Sequence, residues 1–243
     1  MIIREIEFKS YESDIHSRVR LSALMKNFQQ LAREDFDNFG CSYPAMREMG
    51  LVFVLTSMTL KIHKPLCLYK KYTLETVPRK TVGVRFFRDF YVYDGNEIVC
   101  EAVSVWALIN FVTRRLARPT ELPYEIPNKD DKAPNVEPVS KIFPKENYDA
   151  CCSREVYYSM LDENNHLNNC NYADLIEDAL PCEYHKDNMF ISYLGINYVN
   201  EAKVNDSLSI NYTKEAQNEF SFVATKTQTD NECFTAKIIY DFV

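Results

Sequence analysis

The chain has 243 residues, enough for one large domain or two of ordinary size, and its hydrophobic content of 46% indicates a globular protein. A net charge of −7 argues against a nucleic-acid partner, and no apolar stretch is long enough to span a membrane. The eight cysteines form no C-x-x-C pair and no export signal precedes them, which predicts reduced thiols in a cytoplasmic protein.

The first half of the chain predicts one helix followed by a set of strands. Apolar residues recur at helical spacing from Leu21 to Phe36, and Gly40 follows where such a helix could end. Alternating, strand-like runs come next, and an Asp-Gly-Asn turn at residues 94–96 joins the last two as a hairpin. The runs are residues 51–63, 71–77, 83–93 and 97–110.

The same order of elements returns after a linker predicted at residues 126–145. A second amphipathic helix is predicted at residues 172–179, where Pro181 stops it, and strands are predicted at residues 189–199, 207–212, 220–226 and 232–243. This repetition predicts an internal duplication. We therefore expect an α+β protein with two tandem domains, residues 1–125 and 146–243, each a helix wrapped by a curved antiparallel sheet.

A polar run in the second half is the candidate reaction centre. Asp162, Asn164 and His166 recur at every second residue, so an extended segment would point all three side chains the same way. Together they could polarise a carbonyl and move a proton. The alternative is a polar loop that caps the next helix. The matching region of the first half, taken as residues 18–22, lacks the pattern, so the site is assigned mainly to the second half.

Several motifs place the chain beside a known family. The most specific is the Asp-x-Asn-x-His-x-Asn-Asn-x-x-Tyr pattern of residues 162–172, and others are residues 53–58, 76–79, 85–90, 104–109, 114–119 and 198–202. In these motifs the chain resembles the acyl-acyl-carrier-protein (acyl-ACP) thioesterases of plant plastids and many bacteria. The resemblance implies two tandem hotdog domains and hydrolysis of acyl-ACP thioesters to free fatty acid and carrier protein, which would terminate fatty acid synthesis.

The resemblance also implies catalytic roles for Asp162, Asn164 and His166, and for Glu201 further along the chain. Plant members often carry Cys after this Glu, whereas this chain has Ala202, so water activated by Glu201 is the expected nucleophile. Asn164 and His166 would stabilise the carbonyl and the oxyanion, and Asp162 would orient them. No metal or cofactor is expected.

Cys170 remains a second candidate for the nucleophile, because a helix N-terminus can lower the pKa of a thiol. A small apolar filler is the favoured interpretation of this residue. Residues of the first-half helix that would line an acyl cavity, or equally form plain core, are Met25, Phe28, Leu31 and Ala32.

The expected partners are an acyl carrier protein and its fatty acyl thioester. Basic residues exceed acidic ones by three through residue 130, whereas acidic residues exceed basic ones by ten thereafter. The first half, with a basic cluster over residues 61–88, is therefore expected to attract the acidic carrier. A homodimer is also permitted by the resemblance. Two alternatives stay open, an acyl-CoA thioesterase and a non-catalytic acyl-sensing protein of the same fold.

Overall fold

The computed structural model describes residues 1–126, 136–145 and 147–243. Within these ranges the helices are α1 (Leu21–Asp37), α2 (Tyr43–Glu48) and α3 (Asn171–Ala179), none of them long and apolar enough to cross a membrane. The strands before the linker are β1 (Ile2–Glu7), β2 (Leu51–Ile62), β3 (Lys71–Pro78), β4 (Arg85–Asp94), β5 (Glu97–Asn110) and β6 (Arg115–Leu116). Those after it are β7 (Ala150–Glu155), β8 (Met189–Tyr198), β9 (Ser207–Ala216), β10 (Glu219–Lys226) and β11 (Glu232–Phe242).

These strands form one antiparallel sheet in the described ranges. Its order is β1-β3-β4-β5-β2 in the first half and β8-β11-β10-β9-β7 in the second, with β6 paired to β5. The second half therefore repeats the first, and the predicted α+β duplication is confirmed. The two halves join through β2 and β8, where Thr59 lies opposite Gly195. The sheet is continuous across the chain because each half would otherwise end on an unpaired edge strand.

The helices α1 and α3 pack on strands of the sheet and against each other. Phe28 of α1 stacks on Phe90 of β4 with ring centroids 4.7 Å apart, and Tyr172 of α3 meets Phe234 of β11 edge to face at 5.2 Å. One hydrophobic core spans both halves, and a smaller cluster, including Met46 of α2, fills the space beneath that helix. Burial of these aromatic side chains supplies much of the folding free energy.

One residue of the predicted basic cluster lies inside the protein. Arg88 is 2% exposed, and its Nη1 is 2.8 Å from Asp35 Oδ2, while its guanidinium covers the ring of Phe36 at 4.7 Å. The amino group of Met1 also contacts Asp35, at 2.6 Å. Arg88 therefore balances a buried carboxylate and cannot take part in docking, which corrects that part of the prediction.

The described part of the linker lies across the sheet where β2 and β8 meet. Val139 N–H donates to Thr59 Oγ1 at 2.8 Å, and Asn197 Nδ2 donates to the carbonyl of Ser140 at 3.0 Å. Residues 127–135 of the predicted linker, and residue 146 at its end, lie outside the described residues. The domain boundaries at residues 125 and 146 stay predictions.

Candidate active site

The segment that carries the Asp-x-Asn-x-His motif is a tight turn, which we call the motif loop (residues 161–167). A β-bridge between its two end leucines closes it, and Asn165 has a φ of +62°. Asp162 Oδ1 accepts hydrogen bonds from the backbone N–H groups of Asn164 and His166, at 2.8 and 3.3 Å. The expectation of an extended segment was therefore wrong. The carboxylate of Asp162 folds the loop, because it replaces the water that would otherwise bind these N–H groups.

The turn nevertheless brings His166 beside Glu201. The N–H of Leu167 donates to the carbonyl of Ala202 at 2.8 Å, which fixes the motif loop against the segment that follows β8. His166 Nε2 then lies 3.1 Å from Glu201 Oε2, with the two side chains 27% and 38% exposed. An imidazole in hydrogen-bond contact with a carboxylate can hold and pass a proton, and this pair is open to a substrate.

Two cationic side chains also contact Glu201. Lys203 Nζ is 3.3 Å from Oε1, and Arg114 Nη1 is 3.8 Å from Oε2. Arg114 lies in the turn between β5 and β6, so it comes from the first half of the chain. The site is therefore shared between the halves, whereas the sequence pattern assigned it mainly to the second.

The first half also reaches the amide of Asn164. The hydroxyl of Tyr43, in α2, donates to Asn164 Oδ1, while Asn164 Nδ2 donates to Asp162 Oδ2 at 3.4 Å. Arg47, one turn later in α2, donates to the Tyr43 hydroxyl at 2.8 Å. Sequence reasoning missed both residues, because a six-residue helix leaves almost no periodic pattern and neither side chain belongs to a recognisable motif.

Cys170 is a buried thiol at the start of α3. It is 2% exposed, and its Sγ lies 3.3 Å from Gln29 Oε1. Burial raises the pKa of Cys170 to about 12. The thiol is therefore protonated at neutral pH, which supports the interpretation of a small filler and argues against an activated nucleophile.

A small cavity of about 20 Å³ lies between α1 and strands β2, β4 and β5. Met25 and Phe28 line it, whereas Leu31 and Ala32 are buried elsewhere along α1. Cys170 also lines it, so the cavity reaches the end of α3 that follows the motif loop. The volume suits about one water molecule. An acyl-binding role for the four helix residues stays a prediction.

The first half contains a second copy of the motif loop, which we call the twin loop (residues 13–19). Asp14 Oδ1 accepts from the N–H groups of His16 and Arg18 at 2.8 and 2.9 Å, and Ser17 has a φ of +59°. A bridge between its end residues closes the loop in the same way. The region that matches the motif therefore begins at Asp14, and its earlier alignment with residues 18–22 was wrong.

The side chains of the twin loop hold the two halves together. His16 Nε2 lies 2.8 Å from the carbonyl oxygen of His185, and its Nδ1 lies 3.5 Å from Asp187. Arg18 donates to the carbonyl of Met189. These groups are occupied by the neighbouring backbone, so the twin loop offers no equivalent of the exposed pair at the motif loop.

The motif loop and its neighbours carry several polar side chains. The imidazole of His166, the carboxylate of Glu201 and two cations are in contact, and the amide of Asn164 lies in the same loop, a set that suits the addition of water to a polarised carbonyl. Across residues 1–126, 136–145 and 147–243, no group of three or more His, Cys, Asp and Glu side chains is placed to hold a metal ion.

Comparison with family models gives two matches that together span most of the chain. Residues 2–126 match the acyl-ACP thioesterase N-terminal domain, and residues 147–242 match the acyl-ACP thioesterase C-terminal domain.

Curated plant proteins are similar at the sequence level. The chain is 25% identical over 252 residues to oleoyl-acyl carrier protein thioesterase 2, chloroplastic, of Arabidopsis thaliana, covering 94% of this chain and 66% of that protein. It is 27% identical over 195 residues to palmitoyl-acyl carrier protein thioesterase, chloroplastic, of Cuphea hookeriana, covering 74% and 47% respectively. The chain thus spans about half to two thirds of the length of these relatives.

Solved structures share the fold over nearly the whole chain. An acyl-ACP thioesterase from Bacteroides thetaiotaomicron superposes with a TM-score of 0.87 at 23% identity, covering 98% of this chain and 97% of that one. A 12:0-ACP thioesterase from Umbellularia californica superposes with a TM-score of 0.83 at 18% identity, covering 100% and 97%.

Proposed function

Because the chain belongs to the acyl-ACP thioesterase family, we propose that it hydrolyses acyl-ACP thioesters to a free fatty acid and the carrier thiol. The observation that carries this proposal is the contact between His166 Nε2 and Glu201 Oε2, at 3.1 Å. The amide of Asn164 stands in the same loop as the imidazole, and Asp162 binds the backbone N–H groups of both residues, so we assign the base, the proton donor and the carbonyl ligand to one site.

The reaction adds water across the bond between the carbonyl carbon and sulfur. Glu201 takes a proton from a water molecule, whose oxygen attacks the thioester carbonyl carbon. Asn164 Nδ2 donates to the carbonyl oxygen and stabilises the oxyanion. The carbon–sulfur bond then breaks, and the proton passes from Glu201 through His166 to the leaving sulfur. Fatty acid and carrier thiol are the products, and no acyl group is bound covalently to the protein.

Asp162 acts through the loop that it folds. Its Oδ1 binds the N–H groups of Asn164 and His166, so it fixes both side chains in relation to Glu201. The cations Lys203 and Arg114 contact the carboxylate of Glu201 and hold it beside His166.

A Glu201→Gln variant tests the proposal, because glutamine keeps the shape of the side chain and removes the base. Free fatty acid released from acyl-ACP substrates of graded chain length is measured. We expect kcat to fall by about 10²–10⁴. Glu155→Gln, a change of an exposed glutamate outside this site, is the matched control and should leave turnover unchanged. Full activity of Glu201→Gln would exclude Glu201 as the base.

The same assay separates the alternative functions. Matched acyl-CoA substrates are compared with acyl-ACP substrates, since both carry the acyl group on pantetheine. Faster turnover of acyl-CoA would make the protein an acyl-CoA thioesterase. Inactivity of the wild type on every thioester would favour an acyl-sensing protein.

Docking of an acidic carrier is proposed to involve the first-half arginines beside the site. Arg114 contacts Glu201, and the exposed Arg115 and Arg118 follow it in the chain. Reversing the charge of Arg115 and Arg118 should raise the KM for acyl-ACP and weaken its dependence on salt. Turnover of an acyl-pantetheine substrate without a carrier should not change. An unchanged KM for acyl-ACP would contradict this docking surface.

Cellular location and oligomeric state stay predictions. A cytoplasmic location is proposed from the reduced cysteines, whereas the names of the plant relatives describe those proteins as chloroplastic. The homodimer remains a proposal that sedimentation of the purified protein would test.

A further inference from the structure

Asn164 can serve as a donor to the substrate only if its amide is turned the right way. We propose that Tyr43 is a positioning residue that sets this orientation, with Arg47 fixing the direction of the Tyr43 hydroxyl. The inference rests on the proposed function, and it assigns a part of the site to α2 in the first half. The hydroxyl of Tyr43 contacts Asn164 Oδ1, and Arg47 Nη1 contacts the hydroxyl at 2.8 Å.

The direction of these hydrogen bonds follows from the groups themselves. A guanidinium has only donors, so Arg47 must donate to the lone pair of the Tyr43 oxygen. The hydroxyl proton of Tyr43 is then available to Asn164, which presents its carbonyl oxygen to receive it. The amide nitrogen of Asn164 consequently points away from Tyr43.

The other side of the amide selects the same orientation. Asn164 Nδ2 lies 3.4 Å from Asp162 Oδ2, and an ionised carboxylate can only accept. One amide hydrogen is used there and the second remains for the thioester carbonyl. A flipped amide would place its oxygen against the carboxylate of Asp162, which is repulsive, and would remove the acceptor of the Tyr43 hydroxyl.

Two guanidinium groups also contact the phenol ring. Arg33 of α1 lies 5.2 Å from the ring centroid of Tyr43, and Arg47 lies 5.6 Å from it. Arg33 also contacts Glu163 Oε1 at 2.5 Å, in the residue before Asn164. Such cation–π contacts restrict the movement of the ring. The ion pair between Arg33 and Glu163 holds the motif loop against α1.

The twin loop shows that the fold does not require this arrangement. The position that matches Asn164 is His16, whose contacts across the two halves are the backbone carbonyl of His185 at 2.8 Å and the carboxylate of Asp187 at 3.5 Å. These contacts brace the loop there without a tyrosine hydroxyl. At the motif loop the contact is instead made by a side-chain hydroxyl, which donates to Asn164 when the amide oxygen faces it.

Tyr43→Phe removes the hydroxyl and keeps the ring. We expect kcat on an acyl-ACP substrate to fall by about tenfold with little change in KM, less than the loss of about 10²–10³ for removing a carbonyl donor outright. Asn164→Ala should show that larger loss. The double variant should be no slower than Asn164→Ala, because Tyr43 acts only through Asn164. Tyr69→Phe, at a tyrosine that is 83% exposed, is the control.

Two outcomes would overturn the inference: a Tyr43→Phe variant with full kcat, or losses in the double variant that multiply. Inactivity of the wild type would instead contradict the proposed function. A second measurement would then test the positioning role of Tyr43 without turnover. The side-chain amide signals of Asn164 in ¹⁵N NMR spectra, assigned with Asn164→Ala, should shift in Tyr43→Phe and stay in place in Tyr69→Phe. Unchanged Asn164 signals in a folded Tyr43→Phe protein would refute the positioning role.

Discussion

Asp14 and Asp162 hold equivalent positions in two copies of one loop. In each copy Oδ1 of the aspartate accepts the N–H groups two and four residues ahead. The last residue of each loop also donates a backbone hydrogen bond to a later segment of the same half. The acceptor is the carbonyl of Leu66 in the first half and the carbonyl of Ala202 in the second. Glu201 comes directly before Ala202, whereas Pro65 comes directly before Leu66. The first half therefore has no glutamate at the position of the proposed base.

This equivalence predicts equal structural effects and unequal catalytic ones. Asp14→Ala and Asp162→Ala each remove the acceptor for two N–H groups, so each should lower the free energy of unfolding by about 1–3 kcal/mol. Activity should fall strongly in Asp162→Ala alone. Denaturant unfolding and turnover of an acyl-ACP substrate, at a temperature where both variants are folded, check this. A comparable loss of turnover in Asp14→Ala would contradict it.

The buried thiol gives a second prediction. Cys170→Ala should retain the kcat of the wild type, because the thiol has no role in the proposed reaction. Its pKa of about 12 keeps it protonated at neutral pH. The rate of fatty acid release and its sensitivity to a thiol-alkylating reagent are measured for both proteins. Loss of turnover in a folded Cys170→Ala protein would revive a covalent mechanism.

The periodic parts of the fold could be predicted from the sequence. Strands buried on one or both faces leave a strong pattern, and the run from residue 97 to 110 matches β5 at both ends. The edge strands β1 and β7 were missed, because both are only six residues long and neither contains a fully buried residue. The helix α2 was missed as well, since six residues make fewer than two turns.

The site could be predicted only where its residues share a motif. Spacing drew attention to Asp162, Asn164 and His166, although the loop is a turn and the spacing argument for their alignment was wrong. Tyr43 and Arg114 approach the site from the first half, through contacts that have no local sequence signature. The twin loop was overlooked because it retains only the aspartate of the motif.

A close approach between the linker and the sheet gives a third prediction. A Cβ atom at Gly195 would lie 2.7 Å from Val139 Cγ2 and 2.9 Å from Tyr193 Oη. Gly195→Ala should therefore lower the free energy of unfolding by about 1–3 kcal/mol, the usual cost of overpacking. Adding Val139→Ala should recover part of the loss, because it removes the clashing methyl group. Thermal unfolding of the two single variants and the double variant tests this, and a Gly195→Ala protein as stable as the wild type would contradict it.

A buried carboxyl group links stability to pH. Glu177 in α3 is partly exposed, but its Oε1 is shielded from solvent and has no hydrogen-bond partner among the described residues. Desolvation, together with the negative charges of Asp174, Asp14 and Asp178, raises the pKa of Glu177 to about 8, against the opposing effect of Arg20. Burial and the negative charge of Glu177 in turn raise the pKa of Tyr240.

The sign of the pH effect follows from the raised pKa. Between about pH 4.5 and 8 the folded protein keeps the proton on Glu177 and the unfolded chain loses it, so the free energy of unfolding falls as pH rises. The slope from this group is at most about 1.4 kcal/mol per pH unit, and it vanishes outside that window. Glu177→Gln should flatten the profile and be more stable than the wild type at pH 8, with the exposed Glu183→Gln as control. Denaturant unfolding at pH 5, 6, 7 and 8 measures this, and parallel profiles for wild type and Glu177→Gln would show that Glu177 is ionised in the folded protein.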